Sequence, residues 1–174
     1  MMQEQVNYRL GELFCGPGGM ATGAHLAAER VPGTMISHGW ANDYDSDTCS
    51  TYIRNIPNAS EKSVICGDVR NLDIRALESI DGFAFGFPCN DFSLVGEQKG
   101  VTGTFGPLYS FGVSVLDLHS PKWFVAENVG GLSSSNQGGA FLQILRALSG
   151  AGQYGGYRLV PHLYKFEKYG LPQA

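Results

Sequence analysis

Residues Gly86 to Ser93 read GFPCNDFS, which places Cys89 behind Pro88 in a loop that follows the apolar run GFAF. A thiolate is a nucleophile, so Cys89 is either that or one more buried thiol. The choice depends on whether the chain also supplies a cofactor site, an acid for the same substrate and a means of holding it. Other residues capable of chemistry occur in the same kind of place, just after a short apolar run. In FCGPGGMATG, glycines 16, 18 and 19 allow a sharp turn and a close backbone approach to a ligand, and they serve a plain strand-to-helix turn equally well. In ANDYD, Asp43 stands where a carboxylate can accept ribose hydroxyls, and Asp43 or Asp45 can instead cap a helix. In CGDVR, Asp68 can accept from an adenine amino group or cap the next turn. In AENVGG, Glu127 and Asn128 end the run WFVA. A carboxylate at the inner end of a buried strand is costly unless paired, so a structural ion pair competes with a functional role.

These residues need a scaffold that brings their loops together. Short apolar runs alternate with segments of helical period, which predicts βα units and a mostly parallel sheet. Strands are expected near 10–14, 35–41, 63–66, 82–86, 123–127 and 157–163, and helices near 19–30, 45–55, 72–79, 107–118 and 139–149. In such a sheet the ligand lies beyond the carboxyl ends of the strands, where the candidate residues fall.

The 174 residues, 43% hydrophobic with a formal charge of -4, suit one soluble domain with a substantial core. No 18-residue apolar run occurs and MMQEQVNYRL lacks the features of a secretory signal, so a cytoplasmic protein without membrane association is expected. Cys15, Cys49, Cys66 and Cys89 are widely spaced, with no Cys-x-x-Cys pair, which suggests neither a metal site nor a disulfide framework. The acidic balance argues against a free-standing nucleic-acid binder, because Lys and Arg supply most of the non-specific affinity for DNA. Any DNA-binding surface must be local or lie elsewhere.

In order along the chain, FCGPGG, AND followed by Tyr44, GDV, GFPCNDFS, GPLY, ENV and YGLPQ resemble the cytosine-C5 DNA methyltransferases. The resemblance runs from Leu13 to Gln173. It implies an α/β fold, a doubly wound, mostly parallel sheet of the S-adenosylmethionine-dependent methyltransferase type, incomplete at the C-terminus. It further implies that Phe14, Gly16 and Gly18 border S-adenosyl-L-methionine, Asp43 holds its ribose, Tyr44 packs on the adenine, Asp68 and Val69 read the adenine edge, and Leu108 contributes backbone contacts. A dinucleotide dehydrogenase would explain the glycine loop but neither the cysteine loop nor Glu-Asn-Val.

The family adds a thiolate to cytosine C6, which turns C5 into an enamine carbon able to attack the sulfonium methyl group. By resemblance Cys89 is that thiolate, Glu127 hydrogen-bonds N3 and the amino group and stabilises developing charge, Asn128 positions the cysteine loop and Pro88 aims the thiol. A free thiol titrates near about 8.5, so its surroundings must favour ionisation or its proton must leave during attack. The base must leave the duplex to react. Ser93 to Phe105, SLVGEQKGVTGTF, resembles the family loop that closes over the flipped cytosine, and is equally a plain surface loop.

Two departures stand out. Relatives mostly carry Gln and then a small or apolar residue after the cysteine, whereas this chain has Asn90 and Asp91. An acid there should raise the thiol pKa and repel phosphate. In the family YGLPQ continues into Gln-x-Arg-x-Arg, but here Ala174 follows Gln173. Residues 1–174 are thus expected to form one cofactor-binding and catalytic-loop domain without a target recognition domain, as a truncated product or one chain of a split enzyme. DNA is the expected partner, along with a second polypeptide carrying the recognition domain in the split case. A tRNA cytosine methyltransferase and a non-catalytic, cofactor-binding interaction module are the alternatives.

Overall fold

Strand β1 (Val6–Leu13) lies at the centre of a five-stranded sheet in the computed structural model, which describes residues 5–88, 108–133 and 138–172. On one side follow β2 (Thr34–Asp43) and β3 (Val64–Cys66), and on the other β4 (Gly82–Gly86) and β5 (Trp123–Glu127). Every pairing is parallel. The helices are α1 (Gly19–Glu29), α2 (Ser46–Asn55), α3 (Tyr109–His119) and α4 (Gly139–Gly150).

Strand β4 reads as an unbroken apolar run, GFAFG, because both faces are covered. In β4, Phe83 and Phe85 face a core with Leu13, Val115, Leu116, Ile144 and Leu148, while Ala84 faces the opposite core with Leu10, Ala41, Cys49 and Tyr52. The Phe83 and Phe85 rings stack with centroids 4.8 Å apart and are fully buried, worth about 1.5–3 kcal/mol each in removed apolar surface. Gly112 lets α3 settle on this pair, since a Cβ there would come within 2.4 Å of the Phe85 ring.

Two expected elements are not formed. The segment expected as a helix over 72–79 instead holds the 3-10 turn Ile74–Ala76, preceded by another at Val69–Asn71. Asp68 and Asp73 each accept from the backbone N–H two residues on, at 3.0 and 3.1 Å, and so close single turns in place of a continuous helix. The sixth strand over 157–163 is also missing. Tyr157 packs edge-on against Phe124 and donates to the Pro121 carbonyl at 2.7 Å, but every described residue from Val160 onward is exposed. Pro161 has no N–H to give to a ladder.

Strand order reverses at β1, where β2 departs to one side and β4 to the other, so the crevice beyond the carboxyl ends of β1 and β4 is the topological switch point. No helix among the described residues is long and apolar enough to cross a membrane.

Candidate active site

Beyond Leu13 the backbone turns sharply, with φ of 53° at Phe14, 54° at Gly16 and 96° at Gly18. This left-handed geometry is costly for Phe14 and natural for the glycines. Open space surrounds the position that a Gly16 Cβ would occupy, whereas a Cβ on Gly18 would meet Ile56 at 2.9 Å and the Tyr52 ring at 3.3 Å. The turn therefore offers bare backbone outward and packs tightly on α2 behind.

Polar groups tie this turn to its neighbours. The Gly16 N–H donates to Asp43 Oδ2 at 2.9 Å and the Asp45 N–H to Asp43 Oδ1 at 3.2 Å. Each oxygen keeps an unused acceptor site for a ligand hydroxyl. Capping of α2 falls to Asp45, which accepts from the Thr48 N–H at 2.8 Å, and the Thr48 side chain together with that N–H holds its carboxyl below the usual range. Buried Asn42 donates to the carbonyls of Ile65 and Gly67 at 2.8 and 2.9 Å, lacing the β2 and β3 ends together. Sequence reasoning passed over Asn42, although a buried amide at a strand end was a signal for such a lace.

A cleft of about 230 Å³ opens beside these loops, lined by Asn42, Ile65, Cys66, Gly67, Asp68 and Asn71, with Leu72 at its side. Asp68 caps the following turn through the Arg70 N–H and pairs with the Arg70 guanidinium at 3.6 Å, while Val69 is buried beneath. Tyr44 is 80% exposed, its ring free on the outer side of the β2 loop. Leu108, partly buried against the core, sits at the N-cap of α3. Open backbone, a carboxylate with spare lone pairs, an exposed ring and a cleft with acceptors fit a nucleoside-type cofactor.

On the other side of the switch point, Phe87 is buried and Pro88 exposed, and Cys89, Asn90, Asp91 and the loop over 93–105 lie outside the described residues. Asn128 Nδ2 donates to the Phe87 carbonyl at 2.7 Å. Its Oδ1 accepts from the Val129 N–H at 2.9 Å. Glu127 pairs in register with Gly86. Contrary to the sequence expectation, Glu127 is not buried: among the described residues β5 is the outermost strand, bonded to β4, and its last three residues are exposed. Among the described residues it makes no ion pair. The two groups of residues adjoin, because Met20 at the start of α1 lies 3.7 Å from where a Gly86 Cβ would be. No group of three or more His, Cys, Asp or Glu that could hold a metal occurs among the described residues.

Residues 8–174 match the sequence profile of the C-5 cytosine-specific DNA methylases. The Type II methyltransferase M.BbvI of Brevibacillus brevis is 56% identical over 176 residues, covering 97% of this chain and 47% of that protein. M.NgoFVII of Neisseria gonorrhoeae is 33% identical, covering 92% of this chain and 40% of that protein. The chain spans about half the length of the curated relatives it matches. Its fold is similar to the S. pombe Dnmt2 methyltransferase crystal structure, with a TM-score of 0.57 at 21% identity over 83% of this chain and 41% of that one. Ordered motifs on the expected strand ends and a profile match over nearly the whole length agree, and this chain belongs to the C-5 cytosine-specific DNA methylase family.

Proposed function

We propose that this chain carries the cofactor-binding and cysteine-loop part of an enzyme that transfers a methyl group from S-adenosylmethionine to C5 of cytosine in DNA. The observation that carries the reading is the Asn128 bond to the Phe87 carbonyl, which joins Glu-Asn-Val to the backbone running into Cys89. Relatives named as Type II methyltransferases support DNA as the substrate.

S-adenosylmethionine, when bound, supplies an electrophilic methyl group. The chain's residues bind it and act on the base. Phe14, Gly16 and Gly18 admit the cofactor along open backbone, Asp43 accepts the ribose hydroxyls, Tyr44 covers the adenine, Asp68 and Val69 meet its edge, and Leu108 adds backbone contact. Cys89 attacks C6, with Pro88 aiming the thiol. Asn128 holds the Phe87 carbonyl and thereby the start of the loop. Glu127, exposed at the strand end, is free to reach a flipped base, where it hydrogen-bonds N3 and the amino group and donates a proton toward N3 as charge develops.

Contacts for base flipping and sequence recognition must be local on this chain or come from further sequence or a second polypeptide, since the net charge of -4 supplies little general phosphate affinity. The setting is the cytoplasm, with the DNA. Labelled methyl transfer to DNA and to tRNA, measured with and without a polypeptide matching the remaining half of the relatives, tests the reading. Transfer to DNA cytosine is expected in the complete assembly. Transfer to tRNA alone, or none with the complete assembly, would overturn it.

A further inference from the structure

Behind the glycine turn lies a polar cluster to which none of these roles has been given. Glu12 on β1 is fully buried, and its Oε2 accepts a hydrogen bond from the hydroxyl of Tyr52, itself 1% exposed on α2. The Tyr52 hydroxyl also lies 3.3 Å from His38 Nδ1, and His38 Nε2 contacts Ser63 Oγ at 2.9 Å. Burial pushes the Glu12 carboxyl up to about 7, with the Tyr52 hydroxyl and the Ala21 amide pulling against it, yet Oε1 has no hydrogen-bond partner among the described residues. A leucine would occupy this site without that penalty.

The helix that Glu12 anchors touches the turn at three points. The Tyr52 ring and Ile56 close on Gly18, and Asn55 Nδ2 donates to the Pro17 carbonyl at 3.0 Å. Any rotation of α2 about its axis would carry all three with it. We infer that Glu12 and Tyr52 are a positioning pair, in which the hydroxyl-to-carboxylate bond fixes α2 against β1 and α2 in turn holds the glycine turn in the shape that admits the cofactor. The pair touches no substrate, and its role rests on the cofactor reading above.

The test measures S-adenosylhomocysteine binding by calorimetry and amide hydrogen exchange over residues 15–21 in the protein and its variants. Tyr52→Phe keeps the ring on Gly18 and loses only the hydroxyl. It should weaken binding about tenfold and speed exchange in the turn, with β4 and α3 unchanged. Glu12→Gln keeps an acceptor for the hydroxyl and should bind within about twofold of wild type, a rescue that a general loss of packing would not show. Equal binding by wild type and Tyr52→Phe would overturn the positioning role alone. No binding by the wild type would remove the cofactor reading instead, and unchanged exchange in Tyr52→Phe would then still refute the buttress.

Discussion

Asn128 Nδ2 reaches the Phe87 carbonyl at 2.7 Å across the β4–β5 edge, two residues before Cys89. The bond spans 41 residues of sequence and fixes the exit of β4 from the middle residue of the Glu-Asn-Val segment. Asn128→Ala would leave that carbonyl without this partner and free the loop's start. Methyl transfer by the complete assembly is expected to fall about tenfold, as for loss of one well-placed hydrogen bond, with S-adenosylhomocysteine affinity unchanged. A matched loss of cofactor affinity would show that Asn128 acts on the other side of the switch point.

Asp43 is the hub between the β1 and β2 loops, and its two oxygens already take one backbone N–H each. Asp43→Ala should therefore lower both stability, by about 1–3 kcal/mol for the orphaned amides, and cofactor affinity. Calorimetry separates the two if it is run below the variant's melting temperature. Equal affinity in wild type and variant would remove Asp43 from the site.

Only Cys89 should form a covalent complex with DNA carrying 5-fluorocytosine, because fluorine blocks the elimination that frees the enzyme. In the complete assembly Cys89→Ser should abolish trapping, while Cys15→Ser, Cys49→Ser and Cys66→Ser retain it. Burial pushes the Cys15 and Cys49 thiols well above their usual range, which makes them poor competitors. Trapping through another cysteine would reassign the nucleophile.

Exposed Cys66 lines the cleft at the β3 end. In a Cys89→Ser background, iodoacetamide should modify Cys66 first, and saturating S-adenosylhomocysteine should slow that reaction at least severalfold by filling the cleft. Modification at the same rate with saturating ligand bound would mean that the cofactor lies elsewhere.

Much of this site was readable because each candidate sits where a short apolar run meets a turn residue, and those junctions became strand ends at one edge of the sheet. The first five strands and the glycine turn depend on such local signals. What depends on a residue's neighbours in space was hidden. Glu127 looks buried in WFVAE and is exposed at the end of β5, which among the described residues pairs with β4 alone. The Glu12–Tyr52 contact joins residues 40 apart and exists only once α2 has packed on β1. After β3 the helical period over 72–79 gives way to 3-10 turns because Asp68 and Asp73 each close a turn of their own.

Glu12 also predicts a pH signature. Its ordinary value of 4.5 applies to the unfolded chain, and burial raises it to about 7 in the fold, so the folded protein holds this proton more tightly. The stability linked to that proton is fully present below about 4.5 and is lost as pH rises through 7, in total about 3 kcal/mol. His38 on β2, His25 on α1, Tyr52 on α2, and Arg9 and Cys15 flanking Glu12 along the chain also belong to this electrostatic neighbourhood, and they are common to wild type and variant. Comparing Glu12→Gln with wild type therefore isolates one group. Urea unfolding should show Glu12→Gln gaining about 2–3 kcal/mol relative to wild type between pH 5 and pH 8. A difference that stays flat across that interval would mean that Glu12 is ionised throughout in the fold, with the Tyr52 hydroxyl and the Ala21 amide outweighing its burial.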